Sequence, residues 1–409
     1  MRACLRKLGL TVAEGTNAAP TLSKLHLSAA RNEDVAVLIG TWHEAGIVKQ
    51  EESGSNVVNG GKNSFHLEQA NETNANDTLV STPSDDDAAP RLQLITHTTA
   101  LPTSRSSPKF DHSAFFAALP PTATFGTPLL YGAVVTSTST LLDSNTALLA
   151  TLPSGFTATA TTQISGRGRG TNVWVSPPGS LMFSTVLRHS LALSEKAPVV
   201  FVQYLAALAV VAGVQSYGGN GQYGKMPVKL KWPNDIYALS PTATSNSTPP
   251  AREDYVKIGG ILVTSSYTAS GGYTLVVGIG LNANNSAPTT SLAQLAQKLQ
   301  LPPLEVEVLL ASILTSFEKL YTRFTNSGWD AQFESLYYGH WLHTNQIVTL
   351  EAEGGVRARI KGISRDWGLL LAEGLRGEGM GERGTGEVWR LQSDSNSFDF
   401  FKGLLRRKV

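Results

Sequence analysis

Two arginines alternate with three glycines at Gly166-Arg167-Gly168-Arg169-Gly170. Glycine has no Cβ and accepts positive φ, so backbone N–H groups can approach an anion closely. Arginine adds a planar fork that matches carboxylate or phosphate and keeps its charge. Isolated strings of this kind are commoner in flexible RNA-binding segments. This one does not repeat, and the apolar stretch Asn172-Val173-Trp174-Val175-Ser176-Pro177 follows at once. The pattern points to an anion-handling loop between that stretch and a strand-like run over 156–164.

Two further stretches carry chemistry. Lys231-Trp232-Pro233-Asn234-Asp235-Ile236-Tyr237 ends a strand on proline and offers an amide and a carboxylate at one turn. An Asn-Asp turn also forms for purely local reasons. Lys257-Ile258-Gly259-Gly260-Ile261-Leu262 sets a lysine at the start of a strand whose double glycine permits close backbone approach. A lone lysine there is ordinarily solvated. With the 166–170 loop, these turns collect two arginines, a lysine, an aspartate and several glycines beside strands. That collection suits an adenylating site, where negative charge builds on an α-phosphate.

Other strings fail on context. Gly219-Asn220-Gly221-Gln222-Tyr223-Gly224-Lys225 resembles a phosphate loop, but Met226 replaces the hydroxyl residue and the flanking order is helix, loop, strand. Gly278-Ile279-Gly280-Leu281-Asn282-Ala283 imitates a dinucleotide fingerprint, yet no helix opens directly after it. His340 and His343 flank Trp341-Leu342 with no acidic or thiol partner close in sequence, so ordinary packing is expected of them.

The elements that must hold these residues form an α+β pattern. Short β-branched strands are predicted over 130–136, 157–164, 228–232, 256–264 and 273–278. Helices are predicted over 304–324, with Val306, Leu309, Ile313, Phe317, Leu320 and Phe324 on one face, and over the apolar 199–214 run. The second is nearly long enough to span a membrane, but Gln203, Tyr204 and Pro198 favour a helix buried on a sheet. Residues 238–254, rich in Ser, Thr and Pro, read as a surface insertion in a hairpin loop. From 344 to 409 short strands and glycine turns predict a small β-barrel. Upstream, 1–50 reads as the remnant of an amino-terminal domain with a strand at Ala36-Val37-Leu38-Ile39. Residues 51–109, with Asp85-Asp86-Asp87, read as a low-complexity linker. The 409 residues carry a formal net charge of +1, which argues against nucleic acid as a partner. Cys4 is the sole cysteine, and no apolar signal segment opens the chain, so a cytoplasmic protein is expected. The basic, acid-free start leaves a mitochondrial form open.

The strings Thr136-Ser137-Thr138-Ser139-Thr140, GRGRGTNVWVSPPGSL, KWPNDIY, KIGGIL and VVGIGLN occur in the order seen in biotin–protein ligases. From Phe110 onward the chain resembles the long, fungal-type members of that family, the holocarboxylase synthetases, in an amino-terminally shortened form. The resemblance implies a class II synthetase-like biotin/lipoate transferase domain over 110–343, with a mixed sheet, and an SH3-like cap over 344–409. It implies that biotin and Mg2+-ATP give biotinyl-5′-AMP, and that biotin then passes to one lysine of the biotin carrier domain of acetyl-CoA or pyruvate carboxylase. Ser137, Thr138, Ser139, Gln163, Arg167, Gly168, Arg169, Lys257 and Gly260 match biotin-contacting positions. Arg169, Trp174, Asn234 and Asn282 match the ATP side, and Lys257, Arg167, Arg169 and Asp235 the catalytic positions, with the metal ligands left unassigned. Lipoate ligase of the same superfamily and a non-catalytic biotinyl-AMP binder are the alternatives. Retention of both arginines, Lys257 and Asp235 speaks against the second.

Overall fold

The computed structural model describes residues 22–52, 54–71, 79–80, 91–243, 250–268, 271–286, 289–377, 383–394 and 396–407. Their centre is a twelve-stranded mixed sheet. In spatial order its strands are Val228–Lys231, Asp235–Leu239, Tyr255–Thr268, Gly272–Asn282, Ser180–Ser190, Thr157–Gln163, Leu129–Val135, Leu25–Ser28, Arg91–Thr96, Ser64–Gln69, Asn56–Asn59 and Val48–Gln50. Neighbours run parallel where Leu25–Ser28 and Ser64–Gln69 flank Arg91–Thr96, and where Leu129–Val135 meets Thr157–Gln163. The other pairings are antiparallel.

Strand alternation separates two cores. Leu275, Val277, Ile279 and Leu281 face one side, with Leu181, Phe183 and Leu187. There they meet the helices Val202–Gln215 and Val306–Ser327. The first helix is apolar on every side because it lies between the sheet and the second. A Cβ on Gly213 would stand 2.6 Å from the Ile313 Cα, so glycine sets how closely those two helices cross. The second buries Leu309, Leu310, Ile313, Leu314, Phe317, Tyr321 and Phe324 along one stripe and ends at Gly328, whose φ is +68°. No helix among the described residues is long and apolar enough to cross a membrane.

The opposite core corrects the upstream reading. Val276 and Val186 join Leu130, Leu141, Leu142, Leu148 and Leu149, and all pack with Leu25, Leu27, Val35, Leu38, Trp42, Val58, Phe65, Leu92 and Leu94. Residues expected to be a domain remnant and a linker therefore extend the same sheet. Serine, threonine and asparagine are the commonest residues of 51–109, but Val57, Val58, Phe65, Leu92, Leu94 and Ile95 recur where strands need buried side chains. The acidic run at 85–87 lies outside the described residues. The expected strand at Ala36–Ile39 is instead part of the helix Asn32–Glu44. Its buried Val35, Leu38 and Trp42 follow helical spacing, and Glu33 and Asp34 suit its first turn.

At the carboxyl end, the small β unit is a six-stranded sheet ordered Arg383–Leu391, Leu370–Arg376, Val356–Ile363, Ile347–Leu350, Leu404–Arg407 and Asn396–Asp399. Its Val348, Leu350, Ile360 and Leu370 are continuous with the larger core through Trp341, Tyr337 and Trp329. His343 ties the junction. Its Nε2 accepts the Trp232 N–H at 2.9 Å, so the proton sits on Nδ1, which donates to Gln346 Oε1 at 2.9 Å. Gln346 Nε2 donates in turn to the Phe400 carbonyl at 2.9 Å.

Burial lowers His343 to about 3, and the nearby Lys231 and Arg252 charges add to that. His26, 3.0 Å from His97, is likewise lowered to about 3 by burial and by its neighbours, His97 to about 4 by burial, and His112 well below its ordinary value by burial. Below pH ~6.5 the unfolded chain gains protons at these histidines that the native chain refuses. Stability is expected to be flat above that pH and to fall below it. Each histidine adds about 1.4 kcal/mol per pH unit to the slope. Denaturant midpoints that stay level down to about pH 5, above the range where most carboxylates titrate, would contradict this.

The shared core gives a second expectation. Removing residues 22–109 would expose several large aliphatic side chains worth ~1.5–3 kcal/mol each, against a total stability of ~5–15 kcal/mol. A chain starting at Phe110 should lose its cooperative thermal transition. An unchanged melting profile would show the two cores to be independent.

Candidate active site

The face of the sheet that carries the site is built from small residues. In Gly272–Asn282 the odd positions are core, and the even positions near its end are Gly278 and Gly280. Gly280 pairs with Gly260 on the neighbouring strand, and Gly260 pairs with Asp235 on the next. Ser184 occupies the same level on Ser180–Ser190, opposite Gly278. A cavity of about 1100 Å³ opens over this floor.

One end is polar and uncharged. Ser137 caps the helix Thr138–Asp143 by accepting the Thr140 N–H at 3.3 Å. That turn buries Ser137, Thr138 and Ser139. Gln163, at the end of its strand, accepts the Thr138 N–H at 2.8 Å through Oε1. Its Nε2 donates to Ser176 Oγ at 3.2 Å, which fixes the amide's orientation. The buried Ser184 hydroxyl lies 2.9 Å from both Thr138 Oγ1 and Ser139 Oγ. A Cβ on Gly278 would collide with Ser139 Oγ, so glycine leaves that hydroxyl its place.

The other end is cationic. Gly166–Arg167 pairs with Val173–Trp174 as a short antiparallel ribbon, and the turn between them has Gly170 at φ +62°. The ribbon lays the Trp174 indole over the bare sheet. A Cβ on Gly280 would stand 2.6 Å from Trp174 Nε1, and one on Gly260 would stand 3.6 Å from the same ring. Lys257 Nζ sits 5.8 Å from the ring centroid. Asp235 receives two lysines, Lys257 Nζ at 2.7 Å on one oxygen and Lys231 Nζ at 3.1 Å on the other.

Both arginines meet carboxylates of the chain itself. Arg167 Nη1 is 2.6 Å from Asp143 Oδ2. Arg169 donates from Nη1 to Asn234 Oδ1 at 3.3 Å, and from Nη2 to Ser393 Oγ at 2.9 Å and Asp394 Oδ1 at 2.5 Å. Asn234 is itself held by donating to the Ile261 carbonyl at 2.8 Å. The small β unit thus closes one wall, with Ser393, Asp394, Asn396 and Phe398 lining the cavity.

Of the residues singled out in the sequence, Ser137, Thr138, Ser139, Gln163, Arg167, Gly168, Arg169, Trp174, Asn234, Asp235, Lys257 and Gly260 all line this cavity. Asn282 does not. It is buried one register step beyond, and its Nδ2 donates to the Thr290 carbonyl at 3.1 Å. Sequence reasoning missed Ser184, Lys231, Asp143, Ser393 and Asp394. Lys231 had a signal, since Lys229 and Lys231 share one face of a strand that ends at the chemistry-bearing turn. Ser393 and Asp394 had none. Among the described residues no cluster of three or more His, Cys, Asp or Glu side chains could hold a metal ion.

The Biotin/lipoate A/B protein ligase family model matches residues 131–282, the strands and loops that build this site. The chain is 34% identical to Biotin–protein ligase 1, chloroplastic, of Arabidopsis thaliana, over 70% of this chain and 70% of that one. It is 33% identical to Biotin–protein ligase 2 of the same plant, over 70% and 78%. A Biotin–protein ligase of Schizosaccharomyces pombe is 38% identical over 75% of this chain, a match that spans 47% of that relative's length. The chain belongs to the biotin–protein ligase family.

The exposed Asp394 gives Arg169 a partner on the small β unit. Asp394→Ala should free the glycine–arginine turn, and limited trypsin digestion should cut after Arg169 several-fold faster. An unchanged cutting rate would mean that Asn234 and Ser393 hold the turn by themselves.

Proposed function

We propose that the chain is an ATP-dependent biotin–protein ligase. The observation that carries the reading is one cavity that joins an uncharged hydroxyl–amide end to a cluster of four cations over a glycine floor. A ureido ring offers two N–H donors and a carbonyl, which the Ser137–Ser139 turn and Gln163 can meet. The carboxylate tail would then point to Arg167, Arg169 and Lys257. Mg2+ would enter bound to the ATP phosphates.

In the first step a biotin carboxylate oxygen attacks the α-phosphorus and pyrophosphate leaves. Two anions must approach within attack distance, and the cations offset their repulsion. The arginines would exchange Asp143 and Asp394 for ligand oxygens, and Lys257 would leave Asp235 for the developing charge on phosphorus. Trp174 and Asn234 would flank the nucleotide. In the second step the amine of a carrier-domain lysine attacks the acyl carbon and AMP leaves, with Asp235, still paired with Lys231, placed to take a proton. The biotin carrier domains of acetyl-CoA and pyruvate carboxylases are the proposed acceptors, and the cytoplasm the proposed compartment.

Purified protein with biotin, Mg2+-ATP and a carrier domain should give a streptavidin-reactive product, and lipoate in place of biotin should give no lipoyl-carrier. Lys257→Ala and Arg169→Ala should each slow adenylate formation by about a hundredfold, the scale for a lost transition-state donor. No product beside a working control ligase would end the ligase reading. Wild-type rates in both variants would end the roles given to the two cations.

A further inference from the structure

We infer that Lys231 keeps the attacking amine of the acceptor neutral, an inference that rests on the ligase reading above. Lys231 and Asp235 are register partners at the end of a hairpin, and the two side chains are only 13% and 14% exposed. Lys257, 44% exposed, reaches the same carboxylate from the next strand. Lys231 is thus the inner partner of Asp235, and Lys257 the one nearer solvent. The three groups sum to +1, from two ammoniums and one carboxylate.

The surroundings do not cancel that charge. From the glycine–arginine ribbon come Arg167 and Arg169, paired with Asp143 and with Asp394 of the small β unit. Tyr237, beside Asp235, is pushed up by burial and by that carboxylate, and His343 is lowered to about 3, so both are neutral. Arg252, on the segment leading into the Lys257 strand, donates from Nε to the Leu342 carbonyl at 3.3 Å and has the Glu253 carboxylate as a charged neighbour.

An acceptor lysine arrives as an ammonium, with an ordinary pKa of ~10.4, and cannot attack in that form. A lone carboxylate at its approach would stabilise the ammonium and work against the reaction. With Lys231 bound to it, Asp235 is already offset even when Lys257 turns to the phosphate, so the pair favours an arriving ammonium less than a lone carboxylate would. The amine gives one proton to solvent before attack. The C–N bond then forms, the C–O bond to phosphate breaks, and AMP leaves with that electron pair. The second nitrogen proton passes to Asp235. Lys231 touches neither reacting atom, so it acts as a positioning residue through charge.

The test loads the full chain with biotinyl-5′-AMP, adds a carrier domain, and follows single-turnover transfer from about pH 6 to about pH 10, across the range where a shifted lysine would titrate. Lys231→Met should move the acid limb up by about one pH unit, slowing transfer about tenfold on that limb, with rates converging at high pH. Lys231→Gln retains a donor for Asp235 without the charge and should move the limb equally. It also serves if the Met variant fails to fold. Lys231→Arg should restore the original midpoint. A limb that stays in place, or a loss equal at every pH, would overturn the inference in favour of a structural ion pair. No transfer by the unmodified chain would remove the ligase reading and this one together.

Discussion

A glycine register holds the site open. Gly280 faces Gly260 across two paired strands, and Gly278 lies one pleat away. A side chain at Gly280 or Gly278 would fill the space that the Trp174 indole and the Ser139 hydroxyl now occupy. The register itself is fixed from the other side of the sheet. Leu275, Val277, Ile279 and Leu281 are locked into the core beneath the two long helices. A slip of one residue would drive these apolar side chains into the cavity and turn the glycines inward. The packed face and the reactive face are therefore one constraint, because each strand serves both by simple alternation.

On that floor the electrostatics are partly prepaid. Arg167, Arg169, Lys231 and Lys257 gather around the cavity, and Asp143, Asp394 and Asp235 hold them in place. Like charges stay close together because each has an anionic partner before any ligand arrives. Those partners sit on three elements: a helix end, the turn after Lys231, and the small β unit. Binding an anionic ligand becomes an exchange of carboxylates. The depth of each pair decides which exchanges easily: Lys257 and Arg167 are the more open, while Lys231 lies deeper. Trp232 and His343 anchor this arrangement, since the neutral imidazole accepts a backbone N–H at the junction of the two units.

Much of the site was legible because its strings are local. A loop of glycine and arginine, an Asn–Asp turn and a lysine before paired glycines reveal their chemistry from neighbours in sequence. The long helices were legible too, since a stripe of Leu309, Ile313, Phe317 and Phe324 repeats within a few turns. The region upstream of Phe110 was not. Strands such as Ser64–Gln69 and Arg91–Thr96 pair in parallel across a polar connection, so their composition resembles a linker until Phe65 meets Leu92. The four apolar residues at 36–39 fit a strand or a helix equally, and only the burial of Val35, Leu38 and Trp42 on one face decides. Asn282 carried a motif's promise but stands one step outside the cavity, bonded to Thr290.

The sequence by itself determined which groups the protein owns, their order, and the alternation that makes one sheet face apolar and the other bare. Those properties depend on residue type and short spacing, with periods of two and 3.6 residues. The tertiary structure decided which charges share a cavity. It brought Asp394 to Arg169, Lys257 and Lys231 to one carboxylate, and the strands from Leu25–Ser28 to Arg91–Thr96 into the sheet that carries the site. Coulomb attraction, hydrogen bonds and packing act over distances in space, and folding sets those distances between residues that the chain keeps far apart.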